Sequence, residues 1–125
     1  MILDTNGLSA LVEGEPSLEP VLRKAEHLAI PVIVLGEYRY GIRYSRNRNH
    51  YQQWLQEYLP RFRILDIEDR TTTPYSAVRS ELKKAGTPIP SNDVWIAALC
   101  RQHSLPIVSR DRHFDLVPGI KRIEW

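Results

Sequence analysis

"MILDTNGLSALVEG", residues 1–14, sets three apolar residues ahead of an aspartate, a threonine and an asparagine, then spaces Leu8, Leu11 and Val12 at three and four. The apolar triplet predicts a short buried strand, and the spacing behind it predicts a helix. Asp4 stands where that strand leaves the sheet, so its carboxylate either caps a turn or does chemistry. A strand that hands over to a helix at once is the opening of an α/β chain, and the sequence beyond repeats the alternation.

Leu18, Val21, Leu22, Ala25 and Leu28 predict a second short helix after a break near "GEP". "IPVIVL", residues 30–35, is a continuous β-branched run of the kind a fully covered parallel strand shows, with helix following from Gly36 to Tyr44. Tyr51, Trp54, Leu55, Tyr58 and Leu59 form an apolar helical stripe that Pro60 stops. "FRILDI" predicts a third strand. "TTTPYSAVRSELKKAG" predicts a helix with Thr73 as N-cap, Pro74 at its first position and Gly86 past its end. After the loop "TPIPSN", the apolar "DVWIAALCRQH" predicts a buried helix, and "LPIVS" and "KRIEW" predict the fourth and fifth strands. Strands alternating with helices imply right-handed crossovers and a central, mainly parallel five-stranded sheet covered on both faces. With 125 residues, 42% of them hydrophobic, and no break in composition, one domain over residues 1–125 is expected.

Charge and cysteine content narrow the function. A net charge of +2 is too small to argue by itself for a polyanionic partner, although thirteen of the seventeen basic residues are arginine, the side chain suited to bidentate phosphate contacts. Cys100 is the only cysteine, which rules out an internal disulfide and a four-thiolate zinc site and suits a reducing cytoplasm. The longest apolar runs fall short of the roughly 20 residues a membrane helix needs, and a strand starting at Met1 leaves no room for a signal peptide. "DTNGLSA" carries neither the glycine fingerprint nor the lysine of a nucleotide-phosphate loop, and the late-strand lysine of a phosphoaspartate receiver is missing.

Four acids occupy one edge of the expected sheet. Asp4 ends the first strand, Glu37 follows "PVIVL", Asp111 follows "PIVS", and Asp93 joins them if its helix starts over that edge, where ligands of open parallel sheets bind. Each has a structural reading alone: Asp4 as a turn cap, Glu37 and Asp93 as complements to a helix's positive end, Asp111 as an Asx-turn residue. Together they repel one another unless protons or cations compensate, and carboxylates with waters are what Mg²⁺ or Mn²⁺ selects. His27, His50, His103 and His113 carry no ligand spacing; three are expected at the surface and His113 merely near the site, so zinc is not expected. A lysine or arginine is the alternative means of neutralising the pocket.

"MILDTN", "PVIVLGEYRYG", "IPSNDVWIAA" and "IVSRDRHFD" resemble, in order and spacing, the successive acidic motifs of PIN-domain nucleases, and in length the chain resembles the VapC toxins of toxin–antitoxin pairs. The resemblance implies a three-layer α/β/α fold and a metal-dependent endoribonuclease, usually homodimeric and inhibited by a small VapB-type antitoxin. It assigns Asp4, Glu37, Asp93 and Asp111 to the metal site and puts Asn6 and Ser109 at polar positions close to it. Many toxins of this kind have asparagine where this chain has Asp111 and an acid a few residues later, where Asp115 stands. Asp111 lies two residues beyond "PIVS", whereas Asp115 points about one turn away if "RHFD" is helical, which favours Asp111 at the metal and Asp115 outside it.

RNA must approach an acidic hole, so basic residues are expected nearby. Arg39, Arg43 and Arg46 would share one face of the helix after Glu37, and Arg110 and Arg112 flank Asp111. Tyr40 and Tyr44 are candidates for stacking on bases, with core packing expected of at least one of them. The stripe from Tyr51 to Leu59 is mostly core, with part of it open to an amphipathic antitoxin helix. The competing readings are a housekeeping RNA-processing nuclease and a catalytically silent RNA- or protein-binding PIN-like module; all four acids argue against the latter.

Overall fold

Asp4 ends the first strand, β1 (Ile2–Leu3), and starts the first helix, α1 (Thr5–Glu13). Its backbone is extended and its carboxylate accepts the Gly7 N–H at 2.8 Å, the geometry of an N-cap. Gly14, at φ 70°, closes α1 in the left-handed conformation that glycine adopts without steric cost. A computed structural model describes residues 1–125 and continues this handover along the chain.

After α2 (Glu19–Leu22) comes β2 (Ala29–Pro31), which runs straight into α3 (Val32–Ile42). The strand expected over residues 30–35 is therefore mostly helix. Pro31, fixed near φ −58° and without an N–H, is the junction, and Val34, Tyr38 and Ile42 bury a stripe at intervals of four. A run of apolar residues fits a covered strand and a buried helix equally well. α4 (Arg48–Tyr58) buries Leu55 and half-buries Tyr51, Trp54 and Tyr58 as the stripe predicts. It gives way at Leu59–Arg61 to a 3₁₀ turn before β3 (Arg63–Leu65).

α5 (Thr72–Ala85) starts earlier than expected, with Thr71 rather than Thr73 at the cap position; a 3₁₀ turn over Asp69–Thr71 feeds into it and places Pro74 within its first turn. α6 (Ser91–His103) likewise begins two residues before Asp93, which puts that acid inside the first turn. β4 (Ile107–Val108), a 3₁₀ turn over Arg112–Leu116 and β5 (Arg122–Ile123) complete the chain.

All five strands are parallel, in the order β3-β2-β1-β4-β5. The chain moves from β1 outward to β3, then returns past β1 to β4 and β5. Right-handed crossovers thus put α1 to α4 on one face and α5 and α6 on the other, giving three α/β/α layers. α1 packs on α3 and α5 on α6, and α3 also meets α6. The core is continuous from Ile2, Leu3 and Leu8 through Ile30, Leu65 and Ile107 to Leu99 and Phe114.

Candidate active site

The strand order reverses direction between β1 and β4, and the carboxyl ends of those two strands carry Asp4 and Ser109. Such a switch point opens a crevice because successive crossovers leave it to opposite sides. Asp4 is buried at its floor, 4% exposed. One carboxylate oxygen takes the Gly7 N–H, and the other takes a short hydrogen bond from the buried Ser109 hydroxyl. Gly7 is a feature the sequence did not flag. A Cβ there would stand 3.1 Å from the Val108 carbonyl and 3.3 Å from the Asp4 carboxylate, so glycine lets α1 seat closely on β4 with its N–H aimed at Asp4, and a side chain would press on both groups.

Ser109 also accepts the Asp111 N–H at 2.9 Å, and Asp111 in turn caps the following 3₁₀ turn by accepting the His113 N–H at 2.9 Å. Phe114, fully buried, anchors that turn in the core. From outside, Arg122 on β5 holds the loop by donating to the Ser109 carbonyl at 3.1 Å and by gripping both oxygens of Asp115 at 2.7 and 3.0 Å. Asp115 is thus committed to Arg122, while Asp111 points into the acid cluster.

Asp93 enters from the first turn of α6, half-buried. Its Oδ2 lies 3.1 Å from His113 Nδ1, which is itself 3.2 Å from Asp111 Oδ1. His113 is therefore part of the cluster rather than a bystander, and the expectation of a site without imidazole is corrected. Twenty residues separate it from Asp93, so only the fold brings them together. No lysine or arginine bridges Asp4, Glu37, Asp93 or Asp111.

Glu37 does not follow a strand. It sits in the second turn of α3, exposed, beyond the reach of a helix-end role, and meets the group through Asp93, Thr5 and Asn92. Asn6 is exposed in the first turn of α1.

Burial first, and neighbouring charge second, raises the carboxyls of Asp4, Asp93 and Glu37. Asp4 is pushed up to about 6, chiefly by burial and further by the charges of Asp111 and Asp93, against the hydrogen bonds from Ser109 and Gly7. Asp93 is raised by burial and then by Asp111, with His113 opposing. Glu37 is raised by desolvation and then by Asp93, opposed by Thr5 and Asn92.

The basic residues divide. Arg39, Arg43, Arg46 and Arg112 are exposed without an ion-pair partner. Arg46 is not on the face of α3 as expected, because the helix ends at Ile42. Arg110 is engaged, paired with Glu15 and lying 4.6 Å above the Trp125 ring. Tyr40 and Tyr44 pack edge to face at 5.7 Å and are 66% and 80% exposed, so neither is core.

The PIN domain family model matches residues 1–120. The chain belongs to the PIN domain family. Among relatives of this PIN domain, the ribonuclease VapC2 of Rickettsia felis is 30% identical over 130 aligned residues, covering 99% of this chain and 96% of the relative. The crystal structure of VapBC2 from the same organism, bound to a DNA fragment from its promoter, superposes with a TM-score of 0.87 at 28% identity over 99% of this chain and 97% of that one. A toxin–antitoxin complex from Klebsiella pneumoniae superposes with a TM-score of 0.76 at 26% identity over 95% and 93%. This PIN domain has no helix long and apolar enough to cross a membrane.

Proposed function

We propose that residues 1–125 act as one PIN domain that cuts RNA internally with the help of a divalent cation, Mg²⁺ or Mn²⁺, and that it is the toxin of a toxin–antitoxin pair, a cytoplasmic homodimer silenced by a VapB-type antitoxin. The observation that carries this reading is the convergence of Asp4, Asp93 and Asp111, with Glu37 beside Asp93, at the switch-point crevice, where no lysine or arginine neutralises them. Carboxylates forced together at a cost in repulsion fit a cation-binding site. The names of the relatives, a ribonuclease and a toxin–antitoxin complex, support the substrate and the partner.

Asp4, Asp93 and Asp111 would hold the cation, and Glu37 would complete the shell directly or through water. A bound divalent ion supplies the Lewis acidity that ionises a water at neutral pH and offsets the charge growing on the scissile phosphate. Ser109 and the Gly7 N–H aim Asp4, while Arg122 keeps Asp115 out of the site and fixes the loop that carries Asp111. Arg39, Arg43, Arg46 and Arg112 hold the RNA backbone beside the cut; Arg110 joins them only by releasing Glu15. Tyr40 and Tyr44, exposed next to Arg39 and Arg43, offer faces for unpaired bases. A groove of about 620 Å³ lined by Leu55, Leu59, Phe62 and Ile64 suits the apolar face of an antitoxin helix.

The test is RNA cleavage by the purified chain in Mg²⁺ or Mn²⁺, with and without excess EDTA. Activity should vanish with the chelator and return with either ion, without a requirement for zinc. Undiminished cleavage in EDTA overturns the mechanism.

A further inference from the structure

Of the four histidines, only His113 places a ring nitrogen against the acids of the crevice. Nδ1 of His113, Oδ2 of Asp93 and Oδ1 of Asp111 are each supplied by a rigid part of the fold: the first turn of the buried helix α6, the cap of the 112–116 turn, and the residue next to the buried Phe114. The separations are 3.1 Å from His113 to Asp93 and 3.2 Å from His113 to Asp111, and the donor atoms of the three residues lie within 4.8 Å of one another. An octahedral ion with bonds of about 2.1 Å sets adjacent donors about 3.0 Å apart. The imidazole therefore stands from both carboxylates at the spacing of neighbours on one ion.

We propose that His113 is a nitrogen donor to the divalent ion held by Asp93 and Asp111, and that it tilts the site toward first-row transition-metal ions, Mn²⁺ among them, over Mg²⁺. The inference rests on the metal-dependent reading above. Its chemical basis is the donor type: Mg²⁺ is a hard ion that selects oxygen, whereas imidazole nitrogen favours first-row transition metals. A His113 that merely donates Nδ1–H to the two carboxylates would show the same distances, but a glutamine amide can replace that hydrogen bond and is a poor substitute for a metal-bound imidazole.

Binding decides it, measured on the whole chain at pH 8. Mn²⁺ is followed by electron paramagnetic resonance, Mg²⁺ by its competition against Mn²⁺, and coordinated nitrogen by pulsed detection of ¹⁴N coupling to bound Mn²⁺. Wild type should show the nitrogen coupling and bind Mn²⁺ about tenfold or more tighter than Mg²⁺. His113→Gln should lose the coupling and most of that preference, its Mn²⁺ affinity falling about tenfold or more and its Mg²⁺ affinity falling less. Urea unfolding of the metal-free variant checks its fold, and His113→Asn stands in if the glutamine variant is not folded. Bound Mn²⁺ without nitrogen coupling in wild type, or an unchanged Mn²⁺ preference in His113→Gln, overturns the role of His113 and leaves the nuclease reading standing. A wild-type chain that binds neither ion overturns the metal-dependent reading, and this inference with it.

Discussion

Asp4 is both a helix cap and the floor of an acidic crevice, and one geometry serves both ends. The Gly7 N–H that it caps also fixes the direction of its carboxylate, and Ser109 fixes the other oxygen. Asparagine keeps a carbonyl for Gly7 but removes the charge a cation requires. Asp4→Asn and Asp93→Asn should each abolish RNA cleavage while far-ultraviolet circular dichroism and the unfolding transition remain those of a folded protein. Gross destabilisation of either variant would return that residue to a purely structural role. Asp111 and Asp115 part at the same scale, because Asp115 is spent on Arg122 and Asp111 faces His113 and Asp93. Single-turnover cleavage across a Mg²⁺ titration should show a large loss of rate and metal affinity for Asp111→Asn and about tenfold or less for Asp115→Asn. A larger loss at Asp115 would mean that it leaves Arg122 to reach the cation.

Two short elements carry Asp4 and Asp111, the turn that opens α1 and the loop from β4 to β5. Their contact passes through Gly7, whose missing side chain lets the turn approach the Val108 carbonyl. A methyl group there must displace backbone or the Asp4 carboxylate. Gly7→Ala should cost about 1–3 kcal/mol of stability, as overpacked sites do, and should lower the cleavage rate out of proportion to the fraction unfolded, because Asp4 moves with the turn. Urea denaturation and initial rates on the same preparation measure both. Wild-type stability with wild-type rate would show that α1 slides freely along β4.

At the scale of the molecule, the crevice should make the metal-free protein sensitive to pH. The carboxyl of Asp4 is near 6 in the folded chain against an ordinary value of 3.8, so the native state binds the proton more tightly than the unfolded state. Stability from this group is full below about pH 4, falls as pH rises through 6, and levels off above. A shift from 3.8 to about 6 corresponds to about 3 kcal/mol. Asp93 and Glu37, also raised, act with the same sign. The wild-type urea midpoint, taken relative to that of Asp4→Asn to cancel the other titrating groups, should drop between pH 4.5 and 7.5 and recover when Mn²⁺ is added, since a ligand of the native state stabilises it. A flat difference would show that the crevice is wetter than its burial indicates. On the same scale, overproduction of this chain alone should arrest growth, and co-expression with a neighbouring small gene should relieve the arrest; a harmless chain with no co-purifying partner would end the toxin assignment.

Much of this was legible along the chain because the signals are local. The triplet before Asp4, the caps and breakers and the apolar stripes mark β1, α4, β4 and β5, and the alternation of strand and helix implies the parallel sheet whose carboxyl edge gathers Asp4, Asp93 and Asp111. What remained open depended on partners distant in sequence. Whether residues 32–35 extend a strand or begin a helix is settled by where pairing stops, and β3 offers β2 nothing beyond the pair Pro31–Leu65. The same early start of α3 moves Glu37 from the expected start of the helix to its second turn, and Tyr40 is exposed. His113 has no ligand spacing in the sequence, because it meets Asp93 across two elements rather than along one. Asp115 becomes a tether through β5 for the same reason. Periodicity and turn chemistry are written residue by residue and decide the class of the fold and the acids at its edge; pairing register and side-chain convergence arise only when the layers close, and they decide which groups face the crevice.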